Sequence, residues 1–220
     1  MARKFSMLAD TLKAANADLQ ASALHIHTAF AYWDAGMTDA AVAQLHEAID
    51  QGMSDPMVLE KFPKSETRLE DPQWEGLHRR LDSIGKKVGS LEHFEFRTDA
   101  MEAFWPYFEK AVADSSMARA HLREFILEGP REIRDYYVVR YGSIDNMYGQ
   151  MINGAPDYYQ YLRKQFSSDS LEVFREQVLQ AMTRLKGYYK GAVFPKVFVV
   201  PGILNSGGTA TEMGLFLGGD

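Results

Sequence analysis

The chain has 220 residues, 46% of them apolar, enough to bury the core of one large or two small domains. Its formal net charge of −6 removes the broad positive field that non-specific phosphate binding needs, so nucleic acid is not an expected partner. Cysteine is absent, which excludes disulfides and thiolate ligands or nucleophiles.

The opening MARKFSMLADTLK has too few apolar residues before Asp10 for the core of a secretory signal, and no run approaches the length of a membrane span. The expectation is a soluble chain, cytoplasmic as it stands and exported only if a leader has been removed. From Leu24 to Gly52, two helical stretches flank Gly36, with small residues Ala29 and Ala41 and with Tyr32, Leu45 and Ala48 at the offsets of a close-packed helix pair. This resembles one tetratricopeptide unit, and a lone unit cannot make a self-supporting solenoid. In the following segment Asp55-Pro56, Phe62-Pro63 and Asp71-Pro72 punctuate helices, while Leu69, Trp74, Leu77 and Leu81 supply anchors. Residues 1–87 read as a small helical module that ends at a GKKVGS linker.

Beyond it, residues 88–220 read as a second domain. Thr98 or Asp99 is the candidate N-cap of a helix with Ala100, Phe104, Tyr107, Phe108 and Ala111 on one face, and Pro106 predicts a kink or break near Phe104. Further helices are expected to Gly129-Pro130, through REIRDYYVVRYG and SIDNMYGQMING, and past Pro156. Leu171, Phe174, Val178, Met182, Leu185 and Tyr189 then recur every three or four residues, which predicts a long amphipathic helix capped by Asp169 or Ser170 and stopping near Gly191. Val197–Val200 and Gly214–Gly218 read as two strands of one hairpin in want of a sheet partner. The fold class is mainly α: a helical module, then an α-helical domain ending in a β-hairpin, α+β.

Chemistry is sparse. His46-Glu47 begins a zinc-protease helix motif, but no second histidine follows four residues after His46. His25 and His27, two apart, point about 160° away from each other on a helix, and His78, His93 and His121 have no partner at ligand spacing. The loop NSGGT suits an anion nest but lacks the Lys-Ser/Thr and helix of a phosphate loop. No Gly-x-Ser-x-Gly elbow is present, and no pair of carboxylates is singled out. Tyr136-Tyr137, Tyr158-Tyr159, Tyr161 and Tyr188-Tyr189 suit either a peptide or sugar groove or helix packing with hydroxyls at the rim, and Trp33, Trp74 and Trp105 read as core anchors.

Several pieces of the second half are similar to a family of bacterial zinc-dependent proteases of the gluzincin type, some of which carry tetratricopeptide units in front. They are DAMEAFWPYFEKA, LREFILEGPREIRDYYVVRYGSIDNMYGQM, PDYYQYLRKQF and, most specifically, YYKGAVFPKVFVVPGILNSGGTATEMGLFLGGD. The resemblance implies that the zinc ligands, in a His-Glu-x-x-His helix, lie beyond residue 220. It implies zinc for the complete protein, none in this chain, and no catalytic residue here. Asn205, Gly207, Gly208 and Thr209 would then lie on the substrate-side rim of a peptidase cleft; the plainer alternative is a hairpin connection with positive φ at its glycines. The alternative function is a helical, non-enzymatic module binding a peptide or protein partner.

Overall fold

The computed structural model of the chain describes residues 1–63, 71–88, 90–205 and 207–219. Leu69, expected to be an anchor, lies outside the described residues. The chain is predominantly helical with a small four-stranded sheet, and it divides into two compact units.

The first unit comprises Met1–Lys87 and Thr211–Gly214. Helices α1 (Ala2–Leu19), α2 (Ser22–Asp34) and α3 (Thr38–Asp50) are joined by short turns. Gly36 takes the α2–α3 turn at φ +77°, a backbone state that favours glycine. Ala29, Ala41 and Ala48 are fully buried, which lets the two helices approach closely. Asn16 closes the α1–α2 turn from inside: its Oδ1 accepts from Ala21 N at 2.7 Å and its Nδ2 donates to Ala21 O at 3.3 Å. Asp55 and Asp71 each accept from the backbone two residues on, starting a 3₁₀ turn at Pro56–Lys61 and α4 (Pro72–Val88). Phe30 stacks on Phe62 at 4.2 Å, and Trp33 meets the fully buried Trp74 at 5.1 Å. Trp33 itself stays at the rim, its indole donating to Pro63 O. The turn Glu212–Met213 belongs to this unit, because Ser54 N and Asp55 N donate to Glu212 O and Lys61 pairs with Glu212 at 3.1 Å.

Of the GKKVGS stretch expected to be a linker, Gly85–Val88 is helical instead, and Gly89 lies outside the described residues. α4 runs through Gly85, Lys86 and Lys87 to Val88, and the two lysines suit the negative end of its dipole.

The second unit comprises Val88–Ala210 and Leu215–Asp220. Strand β1 (Phe96–Arg97) leads into α5 (Asp99–Ala113) and α6 (Ala118–Glu128), which Gly129 closes. Pro106 lies inside an unbroken α5, so the expected break is absent. A missing helix bond costs about 3 kcal/mol, whereas α5 buries Met101, Phe104, Trp105 and Phe108, each contributing about 1.5–3 kcal/mol.

Helix α7 (Arg131–Tyr136) widens into a π-helical turn at Tyr137–Tyr141, and α8 (Ile144–Met147) into another at Tyr148–Gly154. Then come α9 (Pro156–Gln165) and α10 (Ser168–Tyr188). The cap of α10 is Ser167, earlier than expected, its hydroxyl accepting from Ser170 N, and the helix ends at Tyr188. Of the stripe along α10, only Leu171 is buried.

The sheet, in the order β1-β2-β4-β3, corrects the expected pairing. β2 (Val197–Val200) and β4 (Gly214–Gly218) are not a hairpin; they run parallel, with Val197 opposite Leu215 and Val200 opposite Gly218. The hairpin that ends the chain is made by β4 and an extra strand, β3 (Gly208–Thr211), inside what reads in the sequence as a loop. β1 pairs in parallel on the other side of β2 and is the partner the strands required. Neither β1 nor β3 carries the run of branched residues that marks a strand.

Gly208 explains why β3 can form. A Cβ there would lie 2.9 Å from the backbone oxygen of Phe216, whereas one on Gly207 would meet nothing within 4 Å. Gly208→Ala is expected to destabilise the second unit by about 1–3 kcal/mol, and Gly207→Ala by no more than about 0.5 kcal/mol, as measured by urea denaturation of the two variants.

Candidate functional site

The four rim residues expected from the sequence lie together where the chain leaves β2 and begins β3. Residues Val197–Ile203 are buried without interruption. Past β2 no strand lies beside them among the described residues, and two tyrosine hydroxyls serve their carbonyls: Tyr141 OH donates to Pro201 O, and Tyr159 OH donates to Gly202 O at 2.7 Å. These hydroxyls are buried rather than at a rim, so Tyr141 and Tyr159 act as clamps. Leu204 then turns the chain at φ +59°, and Asn205 Nδ2 donates to Arg140 O at 3.2 Å. The positive φ falls on Leu204 and not on Gly207 or Gly208, so the glycines here serve close approach rather than left-handed backbone. Gly207 O accepts from Gly218 N at 3.2 Å, and Thr209 is half-buried in β3. Ser206 lies outside the described residues.

Beside this loop β3 is an edge strand, with β4 on one side and no strand on the other among the described residues. An edge of this kind presents backbone N–H and C=O groups that can pair with any extended peptide.

A second feature, missed in the sequence, is a pair of buried carboxylates on α7. Glu132 is 5% exposed and Asp135 1%. Their spacing of three puts them on neighbouring positions of one helix face, and helix periodicity alone gives no sign that this face turns inward. Burial raises the Glu132 pKa, partly opposed by its own backbone N–H and by Arg97, and its Oε1 has no hydrogen-bond partner. Arg97 is itself held by Asp99, Nε to Oδ2 at 2.6 Å.

The histidines are scattered. His25 Nδ1 meets Gln44 Oε1 at 2.9 Å, His46 Nδ1 lies 2.9 Å from an Arg80 nitrogen, and His121 pairs with Glu124. Arginine can only donate, so His46 accepts, and burial followed by the Arg80 charge lowers its pKa. Among the described residues no group of three or more His, Asp or Glu could hold a metal ion.

The first unit has a groove of about 730 Å³ lined by residues of α1 and α3 and by His25 of α2. Its walls include Asp10, Lys13, Asn16, Gln44 and Glu47. Asp10 is fixed by the Tyr32 hydroxyl at 3.0 Å.

No protein-family model, curated protein or solved structure matches this chain.

The raised pKa of Glu132 sets a direction for pH dependence. A folded value above the unfolded one favours folding at low pH, and that advantage is lost as pH rises through the folded value. Glu132→Gln removes the charge that burial penalises. It is expected to stabilise the protein by on the order of 1 kcal/mol at pH 8, with the difference from wild type shrinking at pH 4, in thermal melts at the two pH values.

Proposed function

We propose that this chain is the non-catalytic N-terminal portion of a zinc-dependent metallopeptidase, whose zinc ligands lie beyond residue 220. The second unit supplies an edge for an extended peptide substrate. The observation that carries this reading is the edge strand β3, set at the margin of a sheet whose other three strands are parallel and reached through a loop fastened by Tyr141, Tyr159 and Asn205. A peptide added along β3 would gain main-chain hydrogen bonds regardless of its side chains. Such an edge is useful only if the loop before it is held still, and the buried tyrosine clamps meet that need. Support on the sequence side is the resemblance of the last 33 residues or so to the gluzincin-type family, a length that covers β2 to β4 with its flanks.

The test is the complete protein, including whatever follows residue 220. Peptide hydrolysis should require zinc and disappear with a chelator. Asn205→Ala should lower kcat/KM about tenfold while Tm stays within a degree or two, because the bond lost is a single exposed one. Unchanged turnover would remove Asn205 from the rim, and a coding sequence that continues without His-Glu-x-x-His would remove the peptidase reading.

A second reading rests on the groove of the first unit. Its carboxamides and its mixed charges, Asp10, Lys13 and Glu47, suit the backbone of a peptide, so the chain would be a non-enzymatic, tetratricopeptide-like binding module. On this reading a bound peptide should lose about tenfold in affinity on Lys13→Glu, measured by calorimetry, with hydrolysis absent from the complete protein.

A further inference from the structure

Amphipathic helices in globular proteins normally bury their apolar stripe, but α10 does so only at its start. Leu171 is buried and Phe174 meets Phe96 edge-on at 5.6 Å. Farther along, Val178 and Met182 are half-buried and Leu185 is exposed, while Tyr188 is 92% exposed and Tyr189 63%. The turn that follows adds Val193, also exposed.

This end of α10 is built rather than frayed. Lys186 Nζ donates to Lys190 O at 2.8 Å and to Ala192 O, and lies 5.5 Å from the centre of the Phe194 ring. Tyr189 N donates to Leu185 O, and Ala192 N to Tyr189 O. The two tyrosines and Leu185 are therefore presented on a fixed surface, at little further cost in order on binding.

The charge here is opposite to that of the chain. Between Glu176 and Glu212 there is no acidic residue, and the cations are Arg184, Lys186, Lys190 and Lys196, in a protein of net charge −6. Lys196 pairs with Glu95 at 3.0 Å, but Arg184 and Lys190 have no ion-pair partner among the described residues. An apolar stripe flanked by unpaired cations selects its occupant by charge.

We propose that the C-terminal half of α10, with Leu185, Tyr188, Tyr189 and Val193 between Arg184 and Lys190, is a docking surface for an acidic amphipathic helix of a partner protein. The helix would lay its apolar face along the stripe and its carboxylates against Arg184 and Lys190. A second copy of this chain is a poorer occupant, since antiparallel pairing over the free half would bring Arg184 and Lys186 of both copies to the same axis. An anionic bilayer is poorer too. It is a plane that the whole negatively charged chain would have to approach, including Asp169, Glu172 and Glu176 on the same helix. The surface is independent of both functional readings above.

The test uses the full chain and a displayed library of random peptides of about 15 residues, long enough for four helical turns. The library is first depleted on a Leu185→Asp/Tyr188→Ser variant and then selected on wild type. The enriched peptides should share acidic residues flanking apolar ones at helical spacing. The best of them, synthesised, should bind Arg184→Glu at least about tenfold more weakly than wild type, and a version with its acids changed to lysine should recover binding to that variant. All these side chains are exposed, and unchanged circular dichroism and Tm will show that the variants are folded. The proposal is overturned if no acidic pattern is enriched or if the substitutions leave binding unchanged. Sedimentation with phosphatidylserine vesicles that Leu185→Asp abolishes would overturn it in favour of a membrane. A concentration-dependent dimer that the same substitution dissociates would overturn it in favour of a second copy.

Discussion

The second unit is organised by one requirement: the extended segment Val197–Ile203 is buried at every position, so its backbone N–H and C=O groups must find partners inside the protein. Over Val197–Val200 the partner strand is β4, joined on the other side by β1 at Val197 and Phe198. At Pro201 the ladder ends, because proline has no N–H to offer. From there the carbonyls turn to side chains, Pro201 to Tyr141 and Gly202 to Tyr159. Each clamp replaces a sheet bond with a hydroxyl, and losing one would leave a buried carbonyl unmet at a cost of about 1–3 kcal/mol.

That requirement also decides which strand is at the margin. β4 lies beside β2 to satisfy it, and the chain reaches that place by first passing outside and returning. The outward pass is β3. It is an edge strand because the place next to β2 is taken, and its glycine at 208 lets it lie close against Phe216. The same loop that delivers the chain to β3 is anchored at Asn205 to the carbonyl of Arg140, in the π-helical turn that also carries Tyr141. The exposed edge is thus a by-product of covering a buried strand, and any use the protein makes of it rests on that geometry.

What could be read from the sequence follows the same physics. The helices were legible because apolar spacing of three and four residues, and Asp-Pro or Gly-Pro punctuation, act locally. β2 was legible because four consecutive branched or aromatic residues have no better use than a buried strand. Its neighbours were not, since Phe96–Arg97 and Gly208–Thr211 are strands only by virtue of what they pair with. The parallel register was hidden for the same reason: two strand-like runs and a loop look alike whether the loop turns back or carries a third strand. Asn205, Gly207, Gly208 and Thr209 were legible as a cluster in one loop, but the signal lay in glycine content. Tyr159 stood out only as one of several tyrosines suited to a groove or to helix packing, and Tyr141 and Glu132, distant in sequence, gave no signal. Periodicity identified the apolar face of α10 correctly and was silent on whether anything covers it.

The polar groups left unmet are not spread evenly. Among the described residues Glu132 Oε1, Arg134 Nε and Arg140 Nε, in α7 and the π-helical turn after it, are buried without hydrogen-bond partners, and outside this segment so is Trp74 Nε1 in α4. This is the segment whose other end holds the loop, through the Tyr141 hydroxyl and the Arg140 carbonyl. A π-helical turn shifts the side chains that follow it relative to those before, and Tyr141, at the end of this one, reaches Pro201. The segment that carries these unmet groups is thus also the one that fixes the loop before β3, through one hydroxyl and one carbonyl.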